Sequence, residues 1–151
     1  MSNENVPILN HVTMTVSKDI LAGENRDKLR KFCTDVLGWS EMANLTEDGK
    51  HLVFRIHKRG HFMNLIVGNT RVIKGHNDHM GLEVRSRAEL EAINAKAKKF
   101  KESVDSTLDV EEIHTSGSVD TTEQPPRRAW SFYLTYMVPM RIEYQWHEAM
   151  K

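Results

Sequence analysis

One cysteine, Cys33, stands among 151 residues. No intrachain disulfide can form, so stability must come from packing. No apolar run reaches membrane-spanning length. The opening Met1-Ser2-Asn3-Glu4-Asn5 lacks the basic and apolar regions of a signal peptide, so the expected location is cytoplasmic. Neither sign of charge is in excess, because 21 Lys+Arg balance 21 Asp+Glu. The basic surplus of a dedicated nucleic-acid binder is therefore missing. No Gly-rich phosphate loop and no Ser-His-Asp arrangement stands out, so nucleotide and nucleophilic chemistry are not assigned. A 39% hydrophobic and 28% charged composition is that of an ordinary soluble globular chain, long enough to bury a core unaided.

Two short segments set a histidine in nearly the same pattern. Leu9–Val16 reads L-N-H-V-T-M-T-V and Asn77–Val84 reads N-D-H-M-G-L-E-V. In a strand, alternate side chains leave on opposite faces. His11, Thr13 and Thr15 then share one face, and His79, Gly81 and Glu83 share another. Val12, Met14, Val16, Met80, Leu82 and Val84 take the apolar sides. Near the C-terminus, Arg141-Ile142-Glu143-Tyr144-Gln145 places Glu143 in a similar alternation. Two histidines and a carboxylate on strand faces are a donor set suited to a divalent metal with open positions.

The rest of the chain repeats in order. After the first strand, a helix is expected over Arg26–Leu37, with Leu29, Phe32, Cys33, Val36 and Leu37 as its apolar stripe and Gly38 as its cap. Cys33 reads there as a buried small hydrophobe. Strands are expected within Trp39–Leu45, His51–His57 and His61–Val67, with turns at Asp48-Gly49 and Arg59-Gly60. The second half opens with a strand over Asp78–Val84. Ser86 and Glu89 form a capping box ahead of a helix over Arg87–Lys99, whose stripe is Leu90, Ile93, Ala97 and Phe100. Further strands are expected at Val110–His114, Trp130–Met137 and Met140–Trp146. His76 falls in an expected loop, and His51, His57, His61, His114 and His147 read as solvated. Each half is thus strand, helix and three strands, with Asn64 in the slot that Glu143 fills later.

This layout resembles the vicinal oxygen chelate superfamily, which includes glyoxalase I, extradiol dioxygenases, fosfomycin-resistance thiol transferases and bleomycin-binding proteins. The resemblance rests on N-H-V-T-M-T-V, F-C-T-D-V-L-G-W, D-H-M-G-L-E-V and S-F-Y-L…R-I-E-Y, in that order over Leu9–Trp146. It implies an α+β fold of two βαβββ modules, about residues 8–68 and 77–147, forming a half-open barrel in a single domain. It also implies one divalent ion (Fe, Mn, Ni, Co or Zn) held by His11, His79 and Glu143. A fourth ligand position, used by glyoxalase I, falls on Asn64, a poor ligand, so the three-ligand pattern of the dioxygenases and fosfomycin enzymes fits better. The chain departs from the family at Tyr136-Met137-Val138-Pro139, where the family commonly has Asp-Pro-x-Gly, and in Glu102–Arg128.

Such a set leaves positions free for two vicinal oxygens of a small substrate. Tyr133 is the candidate catalytic acid. Thr13, Asn64, Tyr136 and Arg141 are candidate substrate contacts, while Trp130 and Phe132 suit core packing. Taken singly, His11 reads as a core histidine and Glu143 as a salt-bridge partner. The expected function is a metal-dependent dioxygenase, lyase or isomerase, or thiol transferase. A metal-free drug- or metabolite-binding protein is the alternative, and a scaffold without catalysis comes third. The expected partners are a small molecule and a second copy of the chain, with neither nucleic acid nor membrane.

Overall fold

The computed structural model describes residues 9–58, 60–68, 78–120 and 125–150. Met1–Asn5, Arg59, His76 and Asn77, named above, lie outside them. The chain divides into two compact units, Met1–Thr70 and Arg71–Lys151.

In the first unit, β1 (His11–Val16) is followed by a 3-10 turn over Lys18–Leu21 and by α1 (Gly23–Lys31). The helix begins three residues before the expected start. Leu21, wholly buried, anchors the turn before it, and Asn25 donates to the Asp19 carbonyl at 3.2 Å. Its last turn widens into a π turn over Phe32–Val36, with the Leu37 N–H donating to the Phe32 carbonyl at 3.3 Å. Gly38, at φ +70°, ends it in the left-handed conformation that glycine adopts without strain. Leu29, Phe32, Cys33 and Val36 are all buried. Then come β2 (Ser40–Glu41), β3 (His51–Arg55) and β4 (Phe62–Val67). They form a sheet ordered β1-β4-β3-β2, with β1 and β4 parallel. The strand expected over Trp39–Leu45 is cut short, because Ala43–Leu45 turns as a 3-10 helix.

In the second unit, β5 (His79–Glu83) leads to α2 (Arg87–Ser103). Ser86 caps α2, its hydroxyl accepting from the Glu89 N–H at 3.1 Å. The Glu89 carboxylate reaches back to the Arg85 N–H at 2.9 Å, one residue further than a capping box requires. The buried stripe is Leu90, Asn94, Ala97 and Phe100. Asn94 rather than Ile93 points inward, because its amide donates to the Glu111 carbonyl at 2.9 Å. The single strand expected at Val110–His114 is instead two, β6 (Asp109–Val110) and β7 (His114–Asp120), both paired with β8 (Arg127–Thr135). Residues 111–113 interrupt one continuous sheet edge. With β9 (Arg141–Ala149), the order is β5-β9-β8 and then β6 and β7, the pattern of the first unit with one strand broken.

The core of this unit lies between α2 and one face of the sheet. Phe132 stacks on Tyr144 at 5.8 Å, and Leu134 faces Ile142 across the ladder. Arg87 lies over Trp130 at 4.3 Å. The other face is polar, and it carries the candidate site.

Candidate metal centre and its polar surround

Strand pairing sets the centre. β5 runs parallel to β9, aligning His79 with Arg141 and Gly81 with Glu143. β8 runs antiparallel on the other side and aligns Tyr133 with Glu143. Glu143 therefore sits on the middle strand, between a glycine and a tyrosine, and is only 4% exposed. A carboxylate so buried needs donors. His79 Nε2 lies 3.2 Å from its Oε2, and the Tyr133 hydroxyl donates to it as well. Burial, then the hydrogen bond and negative charge of Glu143, push the Tyr133 hydroxyl up, against a smaller opposing effect of Arg141. Tyr133 is thus held neutral, as a donor.

More groups surround Tyr133 than the sequence indicated. The His79 ring meets it edge-on at 5.4 Å. His114 stacks on it at 6.3 Å. The Arg141 guanidinium lies over it at 4.0 Å and is ion-paired with Glu111. Further along the same face, His147 Nδ1 is 3.2 Å from Glu83 Oε1. Glu111 went unnamed in the sequence reading, and His114 and His147 were read only as solvated. Only the shared β8 and β9 ladders bring them to this face, and the break after β6 disrupts the alternation that would have signalled Glu111.

Tyr136, expected beside Tyr133, is turned the other way. Three residues along an alternating strand reverse the face. Its ring packs against Phe100 of α2 at 5.9 Å, and its hydroxyl donates to Asp105 at 2.9 Å.

The first unit repeats the register. His11 pairs with Phe62 and Thr13 with Asn64, as His79 pairs with Arg141 and Gly81 with Glu143. Asn64 thus holds the slot of Glu143, and its buried Oδ1 has no hydrogen-bond partner. His11 and Thr13 are on the exposed side of β1. His11 Nδ1 is 2.7 Å from Asn10 Oδ1, and the ring stacks flat on Phe62 at 4.8 Å. An acceptor on Nδ1 keeps the proton there and leaves the Nε2 lone pair for another partner.

Within the second unit, His79 and Glu143 are a two-donor pair. Among the described residues, no three His, Cys, Asp or Glu side chains form a metal-holding cluster. The pair itself fits an ion. Two donors bound at right angles with bonds of roughly 2.1 Å stand about 3 Å apart, close to the 3.2 Å observed. Gly81 leaves the ground beside Glu143 clear, since a Cβ there would lie 3.8 Å from Oε2.

No protein-family model and no curated protein matches the chain. Solved structures do. A possible glyoxalase from Bacillus cereus is 19% identical, covering 92% of this chain and 98% of that one, with a TM-score of 0.59. A mutant of the fosfomycin resistance protein FosX from Listeria monocytogenes, complexed with Mn(II) and dihydroxypropylphosphonic acid, is 16% identical. The match covers 92% and 89% of the two chains, with a TM-score of 0.56. Lactoylglutathione lyase from Agrobacterium tumefaciens is 13% identical over 92% of each chain, with a TM-score of 0.57. The chain has the α+β, glyoxalase-like fold of these solved structures.

Proposed function

We propose that this chain is a divalent-metal-dependent enzyme acting on a small oxygenated molecule, with His11, His79 and Glu143 as its metal ligands. The observation that carries the reading is the buried Glu143 carboxylate 3.2 Å from His79 Nε2, beside a glycine that keeps the approach open. The Asn10 contact that orients His11 supports its inclusion. The FosX neighbour, complexed with Mn(II), supports a metal on this fold. One ion of Fe, Mn, Ni, Co or Zn, when bound, would supply Lewis acidity toward two substrate oxygens.

The chain's own residues divide the remaining work. Tyr133, kept neutral and donating to Glu143 in this structure, would give that proton to a substrate oxygen on exchanging partners. Thr13 offers a hydroxyl, and the half-buried Asn64 an amide, for substrate contacts. Arg141 lies against Tyr133 and borders the substrate. The reaction is of dioxygenase, lyase or isomerase, or thiol-transferase type. The reading also carries a homodimer, whose isologous pairing could complete each site. It places the protein in the cytoplasm, where a single buried thiol needs no oxidation.

A metal-free binding protein is the second reading. It is favoured by the 3.2 Å contact that His79 and Glu143 already make with one another. Metal content of untagged protein, measured by mass spectrometry, decides between them. About one ion per chain is expected, lost in folded His79→Ala and Glu143→Ala. No uptake after reconstitution with any of the five ions would put the binding protein first.

A further inference from the structure

The cation beside Tyr133 is already engaged. An Arg141 amino group donates to the Glu111 carboxylate, and the two side chains are only 20% and 39% exposed. Glu111 is held in place at its main chain. Its N–H donates to the Tyr133 carbonyl at 3.0 Å, and its own carbonyl accepts from the buried Asn94 at 2.9 Å. It belongs to the interruption between β6 and β7, and this break in the edge strand sets an acidic side chain against Arg141. An incoming phosphate, phosphonate or dicarboxylate would have to displace Glu111. It would also meet the charge of Glu143, whose carboxylate accepts from Tyr133. Within this group two carboxylates face one guanidinium. The His114 ring and the acceptor side of the Tyr133 hydroxyl, whose proton goes to Glu143, remain presented.

We propose that Glu111 is the specificity-determining residue of this face. By occupying Arg141 it excludes dianionic substrates and selects uncharged oxygenated molecules that hydrogen-bond to Tyr133 and His114. This rests on the site proposed above being the substrate site. Carboxylate-for-oxyanion competition at one arginine is strong, because both would make charge-assisted and often bidentate bonds to it.

The test is a calorimetric titration of inorganic phosphate into the full chain in EDTA, at a pH of about 8 where phosphate is a dianion. Glu111→Gln should bind phosphate at least about tenfold tighter than wild type, since a neutral amide competes poorly for the guanidinium. Glu111→Asp should keep the wild-type exclusion. The gain should vanish in Glu111→Gln combined with Arg141→Ala. Equal affinity in wild type and Glu111→Gln, or a gain that survives loss of Arg141, would overturn the proposal. Circular dichroism checks folding, and Glu111→Ala gives the same comparison if Glu111→Gln does not fold. Titration of the same proteins without EDTA, with Mn, Fe, Co, Ni and Zn in turn, separates the two readings. A phosphate gain in Glu111→Gln, with no uptake of any of the five ions by wild type, supports the selectivity and overturns only the metal assignment.

Discussion

Replacing Glu143 by glutamine should change stability in opposite directions with and without metal. Without metal, the native carboxylate is buried and carries a desolvation cost that Tyr133 and His79 only offset. Glutamine keeps an acceptor for Tyr133 and removes that cost. His79, whose side chain is 38% exposed, is hydrated when its partner is lost. Metal-free Glu143→Gln should therefore melt at or slightly above wild type. With metal at a hundred times its dissociation constant, wild type gains about 2.7 kcal/mol. For a chain of this length, each kcal/mol moves the midpoint by about 2–4 °C, which predicts a rise of roughly 5–11 °C. A hundredfold weaker site in the variant would leave about 0.4 kcal/mol at the same concentration, or a rise of roughly 1–2 °C. Differential scanning fluorimetry of both proteins, in EDTA and with each of Mn, Fe, Co, Ni and Zn, measures all four states. The reasoning is refuted if no ion raises the wild-type midpoint, or if Glu143→Gln gains as much as wild type.

Gly81→Leu should stay folded yet lose the metal-dependent shift, because its side chain would fill the ground beside Glu143 Oε2; unchanged metal uptake in the same assay would show that this space is not used. Phe132→Ala should cost about 3–5 kcal/mol in urea unfolding, because Phe132 is wholly buried and stacked on Tyr144; a cost below about 1 kcal/mol would mean that the site collapses or the packing is wrong. Ser86→Ala should cost about 1 kcal/mol through the lost bond to the Glu89 N–H, with Ser86→Asp restoring it; an unchanged urea midpoint in the alanine variant would count against the cap. Cys33 is buried, and burial pushes its thiol pKa upward, so a disulfide reagent should label it slowly in native protein and quickly in denaturant; fast labelling of the native state would contradict its place in the core.

Local pattern carried much of the fold. Alternation along Leu9–Val16 and Asp78–Val84 marked two half-buried strands, because a pleated backbone sends successive side chains to opposite faces. The apolar stripe running from α1 into the turn after it, the α2 stripe apart from Ile93, the Ser86 cap and the glycine at position 38 were legible for the same reason, since each depends on residues within a turn or two. The repeat itself, with Asn64 and Glu143 in equivalent slots, could be read by aligning one half with the other. The ladders later placed both residues two positions beyond the partner of a histidine.

Properties that depend on which strands become neighbours were beyond local reading. Glu143 is buried only because β5 and β8 flank it, with Gly81 on one side and Tyr133 on the other. Tyr136 went to the helix side because it lies three positions from Tyr133, and its hydroxyl found Asp105, 31 residues away. The break between β6 and β7 carries no distinctive local pattern, yet it brings Glu111 to Arg141, 30 residues distant. Residue identity and periodicity determined the elements and named most of the chemistry, because those are short-range properties of the chain. The burial, pairing and proton state of that chemistry were decided by the sheet, because hydrogen-bonded ladders set side chains from remote segments within a few ångströms of one another.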